Sequence, residues 1–305
     1  MSKQAATFLA FIERTVKAKL TPAQRVLIKV AFDRVNPGKL AGLERDLARQ
    51  LFGDFDVTPD DARKVFALLK GARIGGTWLC ALYLLYRALV ADLSGLAAGE
   101  QAFGAIIAPD MKLARQALRY AHGLAKSVPA IKQLIASETA DGFLIRRADG
   151  REVSIEALAA GRGGKGQRGR SLVAAVMDEA SFFFDAESGV INDSEVFRAL
   201  VVRVLPGGVL CVLSTAWLKT GLLMELIDKN HGAPTTALAA IAPTTLVRTD
   251  SPELAVIIAE ERERDPDNAS REFDCIPLSG GASTFIDPVA IDAMINESLP
   301  LVGAA

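Results

Sequence analysis

Apolar residues follow two rhythms along this chain, and the change between them falls near residue 65. Before it the spacing is helical. Val26, Leu27, Val30 and Ala31 recur at the interval of one helix face. They follow Thr21-Pro22-Ala23-Gln24, which has Thr at the N-cap, Pro at the first helical position and Gln at the third. Asn36-Pro37-Gly38 stops that helix, a second is predicted over 40–52 and closed by Gly53, and Thr58-Pro59-Asp60-Asp61 repeats the start signal. Residues 1–20 form an interrupted amphipathic stretch containing Glu13, Arg14 and Lys17, which is not the pattern of a secretory leader.

From Val65 onward short, continuous apolar runs alternate with helical ones. Strands are predicted over 65–69, 103–108, 172–177 and 209–213, and helices over 111–126, 195–205 and 221–228. The stretch 143–158 alternates around Asp149-Gly150, a strong hairpin signal. The most apolar run, 78–86, is nine residues long and followed by Arg87. That is too short to span a bilayer and predicts a helix buried on most sides. After Pro252 the chain turns helical and charged, and Gly280-Gly281 opens a tail. Continuous apolar strands separated by helices predict an α/β fold with a parallel sheet covered on both faces.

The chemistry sits at the ends of these strands. Between the first strand and the buried helix runs Lys70-Gly71-Ala72-Arg73-Ile74-Gly75-Gly76-Thr77. A strand, a glycine-containing loop and a helix N-terminus make an anion cradle of backbone N–H groups. The usual phosphate-loop frame is G-x-x-x-x-G-K-[ST]. Here Gly76 stands in the lysine's place and Lys70 in that of the first glycine. Gly75 keeps the tight turn, Thr77 keeps a hydroxyl suited to Mg²⁺, and Lys70 or Arg73 supplies the cation for phosphate. The other reading is a strand-to-helix turn with glycines for steric reasons. The strand over 172–177 runs into Asp178-Glu179, where an NTPase needs one carboxylate in the Mg²⁺ shell and one to orient and deprotonate water; an acidic N-cap is the alternative. Ser214-Thr215 end the next strand and would either sense the terminal phosphate or cap the following helix.

Composition narrows the classes. The chain has 305 residues and a net charge of -1, so a uniformly basic nucleic-acid binder is excluded and a local basic patch is not. Such a patch lies over 161–170, where Arg162, Lys165, Arg168 and Arg170 are interleaved with glycines and no acid. Cationic loops of this kind suit duplex phosphates, with Lys165 and Arg170 as DNA contacts. Arg162 and Arg168 are candidates for an arginine finger that enters a neighbouring subunit's site. Three cysteines in apolar settings, Cys80, Cys211 and Cys275, predict a reduced intracellular protein, and two distant histidines argue against structural zinc.

Taken in order, Lys70 to Thr77, Ala108-Pro109, Asp178-Glu179-Ala180-Ser181 and Ser214-Thr215-Ala216 resemble the ATPase domain of the large terminase subunit of tailed phages, over about residues 20–290. A displaced lysine is a variant of some branches of that family. The resemblance implies an additional-strand, RecA-like P-loop NTPase fold, ATP hydrolysis with Mg²⁺, and force on double-stranded DNA. It makes Gln24 the adenine contact and places Arg271-Glu272-Phe273 and Phe285-Ile286-Asp287 at the exit into a linker. It divides the chain into a helical segment 1–62, an ATPase core 63–275 and a tail 276–305, too short for the family's nuclease domain. The partners it implies are a portal protein and a small terminase subunit. It further implies a homo-oligomeric ring on the procapsid, a monomer in isolation, no membrane, and the cytoplasm of an infected bacterial host. A helicase-type DNA-dependent ATPase would need a second RecA-like domain, for which there is no room. A silent scaffold that only docks partners has Gly76 in its favour. A dinucleotide enzyme would need G-x-G-x-x-G after the first strand, which is absent.

Overall fold

The change of rhythm near residue 65 is the start of a sheet. The computed structural model describes residues 6–161, 169–183 and 193–278. Its strands are β1 (Val65–Lys70), β2 (Ala102–Ala108), β3 (Ile135–Glu138), β4 (Gly142–Arg146), β5 (Glu152–Ala159), β6 (Ser171–Asp178), β7 (Leu210–Ser214) and β8 (Leu238–Ala242). Among the described residues they form one eight-stranded sheet in the order β3-β4-β5-β2-β6-β7-β1-β8. The run from β5 to β8 is parallel, while β3-β4-β5 is antiparallel. The predicted hairpin is β4–β5, turning at Gly150 with φ of 78°.

The main helices are α1 (Pro22–Ala31), α2 (Leu43–Phe52), α3 (Gly76–Val90), α4 (Met111–Ser127), α5 (Asp193–Val201), α6 (Leu222–Asn230), α7 (Pro252–Arg264) and α8 (Pro266–Asp274). The α1 start is a complete capping box: Gln24 N–H donates to Thr21 Oγ1 at 3.3 Å, and Thr21 N–H donates to Gln24 Oε1 at 2.9 Å. Alternate residues of each parallel strand face opposite layers. On one face Phe66, Leu68, Ile106, Val176, Cys211 and Leu213 pack with α3, α4 and the N-terminal helices. On the other, Ala67, Leu69, Ile107, Met177, Leu210 and Val212 pack with α5 and α6. Both faces are covered, as the apolar strands predict. The buried helix is α3. Its Tyr83 ring lies 5.3 Å from Phe8 and 4.3 Å from Phe32, which joins the N-terminal segment to the core.

Several predicted boundaries move, each for a tertiary reason. Thr58-Pro59-Asp60-Asp61 starts only one tight turn, Asp61–Lys64, before β1 begins. The helix predicted over 195–205 ends at Val201. Leu172 N–H donates to Arg203 O at 2.9 Å and Leu205 N–H to Leu172 O at 2.7 Å, drawing 203–205 onto β6. Lys70, expected in the loop, is the last residue of β1 because it pairs with Ala242 of β8. The sequence pattern does not announce β8: Leu238-Ala-Ala-Ile-Ala is alanine-rich, and alanine is a poor strand former. Nor does it announce β3, which is mostly exposed and has no apolar face to reveal it.

β8 depends on one buried amide. Asn230, 1% exposed at the end of α6, accepts from the N–H groups of Thr235, Thr236 and Ala237 at 3.1, 3.0 and 3.2 Å. Asn230→Ala leaves those donors without an acceptor and is expected to cost about 2–4 kcal/mol, read from urea denaturation. A loss under about 0.5 kcal/mol, the range of a neutral surface change, would mean that other contacts hold the turn.

Candidate functional site

In a parallel sheet the functional ends are the carboxyl ends of adjacent strands. Here β1, β7 and β6 lie side by side, and their last residues are Lys70, Ser214 and Asp178. All three are buried, with Ser214 and Asp178 only 0% and 4% exposed. β7 is the additional strand that the resemblance implies, lying between the loop strand and the acidic one.

Beyond Lys70 the chain turns through two left-handed residues, Arg73 (φ 63°) and Gly75 (φ 83°), into α3. No side chain caps α3, so its first N–H groups remain open to an anion. The loop is gripped from behind. Gly71 N–H donates to Ala242 O at 2.9 Å, Thr244 Oγ1 to Ala72 O at 2.7 Å, and Ala72 N–H to Glu272 O at 2.6 Å. Arg248 Nη1 donates to Arg73 O at 3.0 Å and Gln24 Nε2 to Ile74 O at 2.9 Å. A Cβ on Gly71 would stand 2.5 Å from Thr244 N and 2.8 Å from Phe273 O, so only glycine fits. At Gly76 a Cβ would stand 2.9 Å from Lys70 Cδ. The displaced lysine and the glycine in its usual place are therefore one feature: the Lys70 stem occupies the space that a side chain at 76 would need.

The cation and the acids meet above this loop. Lys70 Nζ lies 2.7 Å from Glu179 Oε1, Ser214 Oγ donates to Glu179 Oε2 at 3.1 Å, and Thr77 Oγ1 donates to Asp178 Oδ1 at 3.0 Å. Glu179 leaves the strand in a left-handed conformation (φ 52°, ψ 44°), strained for a residue with a Cβ. Burial opposes the charge on Lys70. The Glu179 and Asp178 carboxylates outweigh that effect and raise its pKa above the ordinary lysine value. Asp178 is pushed up to about 6, first by burial and then by the neighbouring Glu179 charge. Neither acid caps a helix through its side chain, and α6 starts at Leu222, whose N–H donates to Asp193 Oδ2 at 2.8 Å. Ser214 is therefore turned toward Glu179 and not toward α6.

Thr77 and Asp178 offer two hard oxygens in contact, which fits a Mg²⁺ that completes its shell with water and phosphate oxygens. Among the described residues no group of three or more His, Cys, Asp or Glu could hold a metal unaided. A 160 Å³ depression over the loop is lined by Lys70, Gly71, the run from Arg73 to Trp78, and Tyr120. A larger concavity of 780 Å³ lies elsewhere, against β3, β4, β5 and the start of α4, with no lysine among its walls.

The structure thus brings Lys70, Gly71, Gly75, Gly76, Thr77, Asp178, Glu179 and Ser214 together. Gln24 lies behind the loop, Arg73 is exposed on its rim, and Thr215 is buried one residue beyond Ser214. Arg170 stands apart, 2.5 Å from Glu156 and with its guanidinium 4.3 Å from the centre of the Phe103 ring. Arg162, Lys165 and Arg168 lie outside the described residues, as does the tail from 279. Sequence reasoning missed Thr244 and Arg248, which carry no motif, and placed Glu272 only at a linker exit; all three shape the loop from 170 or more residues away.

No family model and no curated protein matches the chain. Solved structures do. The architecture is the additional-strand, P-loop type of α/β fold. More narrowly, it is the fold of the ATPase domain of phage large terminases. The large terminase of bacteriophage HK97 aligns with a TM-score of 0.60 and 20% identity, over 88% of this chain and 54% of that one. The ATPase domain of the Thermus phage P74-26 large terminase gives 0.50 and 16%, over 70% and 88%. The large terminase of a thermophilic bacteriophage, in complex with ADP, gives 0.50 and 12%, over 71% and 48%. The chain spans about half the length of the HK97 protein and of the ADP-bound one. Among the described residues no helix is long and apolar enough to cross a membrane.

The raised Asp178 pKa has a stability signature. The unfolded carboxyl titrates near 3.8 and the folded one near 6, so the folded chain binds the proton more tightly. Stability contributed by this group therefore falls as pH rises from about 4 to about 6, by roughly 2–3 kcal/mol in all. Asp178→Asn is expected to melt above the wild type at pH 7.5 in EDTA, and the two melting temperatures should converge as the pH falls below about 4. A gap that does not change with pH would contradict this assignment.

Proposed function

We propose that this chain is a Mg²⁺-dependent ATPase that drives double-stranded DNA into a viral procapsid. The observation that supports this most is the meeting of Lys70, Thr77, Asp178, Glu179 and Ser214 at the ends of three adjacent strands. The fold shared with the HK97 large terminase adds the packaging context.

In this reading the loop amides and the N-terminus of α3 bind the triphosphate, while Lys70 supplies the charge that the usual lysine would. Thr77 and Asp178 hold Mg²⁺, which neutralises charge on the phosphate oxygens. Glu179 orients the attacking water and accepts its proton. Its carboxylate is bonded to Lys70 and Ser214. A phosphate that competes for the Lys70 ammonium frees Oε1 for water, so substrate binding itself activates the base. Ser214 and Thr215 then register the change on β7. The crowding of Gly76 by the Lys70 stem counts against the silent-scaffold alternative.

The partners belong to the same proposal: duplex DNA, a portal protein, a small terminase subunit and further copies of this chain in a ring in the cytoplasm of an infected bacterium. Arg162 or Arg168 would act as a finger in the neighbouring site, and Lys165 and Arg170 would contact DNA phosphates.

The test is steady-state ATP turnover with Mg²⁺, with and without duplex DNA. Glu179→Gln is expected to lower turnover by about 100-fold or more while retaining ATP binding, the scale of losing a general base. Gly76→Lys, which restores the usual loop lysine, is expected to lower turnover, because its stem collides with that of Lys70. A wild-type chain that binds no ATP, or a Glu179→Gln variant as fast as wild type, would overturn the proposal.

A further inference from the structure

At the amino end of β1, roughly 20 Å along the strand from the phosphate loop, buried polar groups stand without partners. Asn36 Oδ1 is the centre of this cluster. It accepts from Thr58 N–H at 3.1 Å and from Arg63 Nη2. Beside those two bonds, the Thr58 hydroxyl and the other terminal nitrogen of Arg63, Nη1, are buried with no hydrogen-bond partner among the described residues. Thr58 is 3% exposed and the Arg63 side chain 9%. Orphaned groups of this kind are rare in a folded chain and mark a place that water or an ion fills.

Charge decides between the two. A water supplies hydrogen bonds but does not neutralise a buried guanidinium. Asp60 is the one carboxylate near Arg63 among the described residues. It lies 3.5 Å from Nε and is fully exposed, so solvent screens it. The other acids close by in sequence are engaged: Asp33 accepts from Phe8 and Leu9 N–H, and Asp56 pairs with Arg45 at 2.8 Å. Arg34 adds a second cation. It is exposed, has no ion pair among the described residues, and holds a left-handed backbone (φ 58°) that is strained for a residue with a Cβ. Burial first, and then the Arg34 charge, lower the Arg63 pKa. Arg87, near the end of α3, brings a third guanidinium to this end of the sheet. Its Nη2 donates to Pro206 O at 3.4 Å, and its Nε is buried without a partner. A cation buried without its counter-charge is costly, and a bound anion removes that cost.

We propose that Thr58, Arg63 and Arg34 form a binding site for an inorganic phosphate dianion at the amino end of β1, separate from the phosphate loop. The Thr58 hydroxyl and Arg63 Nη1 donate to its oxygens, and Arg34 supplies the second positive charge. Two guanidinium groups match a dianion, whereas a carboxylate leaves one of them uncompensated. The anion joins the turn after α1 to the residues before β1, and so the N-terminal helical segment to the sheet. The inference does not depend on the ATPase reading.

The test follows the arginine Nε–H resonances of the full chain by NMR while inorganic phosphate is added at pH 7.5 in EDTA. The Arg63 resonance is assigned as the one lost in Arg63→Lys. It is expected to shift saturably with phosphate and not with acetate at equal ionic strength. Phosphate held over Lys70 is a strand's length away, so this resonance reads the proposed site alone. Arg34→Gln, at an exposed position, is expected to weaken the phosphate titration about ten-fold, the scale of losing one charge-assisted contact. Thr58→Val keeps the side-chain shape, removes the hydroxyl and should weaken it as well. An Arg63 resonance that does not move, that moves equally with acetate, or that titrates unchanged in both variants overturns the inference.

Discussion

A buried ammonium between two carboxylates organises this protein. Lys70 is 7% exposed and 2.7 Å from Glu179, with Asp178 close enough to stabilise its charge further. Taking an ion out of water costs several kcal/mol, and only well-placed opposite charges and hydrogen bonds offset it. The neighbouring features meet that requirement. Strand β8 extends β1 by one residue so that Lys70 starts from a fixed backbone. Gly76 leaves space for its stem, and Ser214 and Thr77 donate to the acids it faces. Removing Lys70 leaves two adjacent carboxylates without their cation, so the loop, the acidic pair and β7 act as one unit.

The same constraint explains why the loop is fastened from far along the chain. A loop that must present its N–H groups to an anion cannot use them all on itself. Its carbonyls are therefore tied down from outside: Thr244 to Ala72, Arg248 to Arg73 and Gln24 to Ile74. These tethers come from the turn after β8 and from the first turn of α1, on either side of the loop in sequence. They hold the left-handed turn at Arg73, where a side chain with a Cβ carries strain.

What could be read from the sequence follows from this division. The parallel strands were legible because burial on both faces demands continuous apolar runs, and the loop and acidic pair because their residue types sit at strand ends. Capping of α1 was legible down to Gln24, since Thr and Gln three residues apart form a local motif. The missed parts depend on partners distant in sequence. β8 is an alanine-rich segment whose strand character comes from pairing with β1. Gly71 is compulsory only because Thr244 and Phe273 crowd it. No local pattern in the sequence marks such residues.

Placing a strand between the lysine and the acids has a mechanical consequence. If β1 and β6 were neighbours, a change in the Lys70–Glu179 pair would stay between two strands. With β7 between them, Glu179 is also bonded to Ser214, three residues before Trp217. The Trp217 carbonyl accepts from Leu278 N–H at 2.9 Å, and the Arg271 guanidinium lies 4.2 Å from the centre of the Trp217 ring. Glu272, the residue after Arg271, accepts from the phosphate loop through its carbonyl. The end of α8 thus touches both the loop after β1 and the segment that follows Ser214. Under the proposed ATPase reading, a displacement of Lys70 by phosphate would act on this end from two directions, through Ala72 and through Ser214.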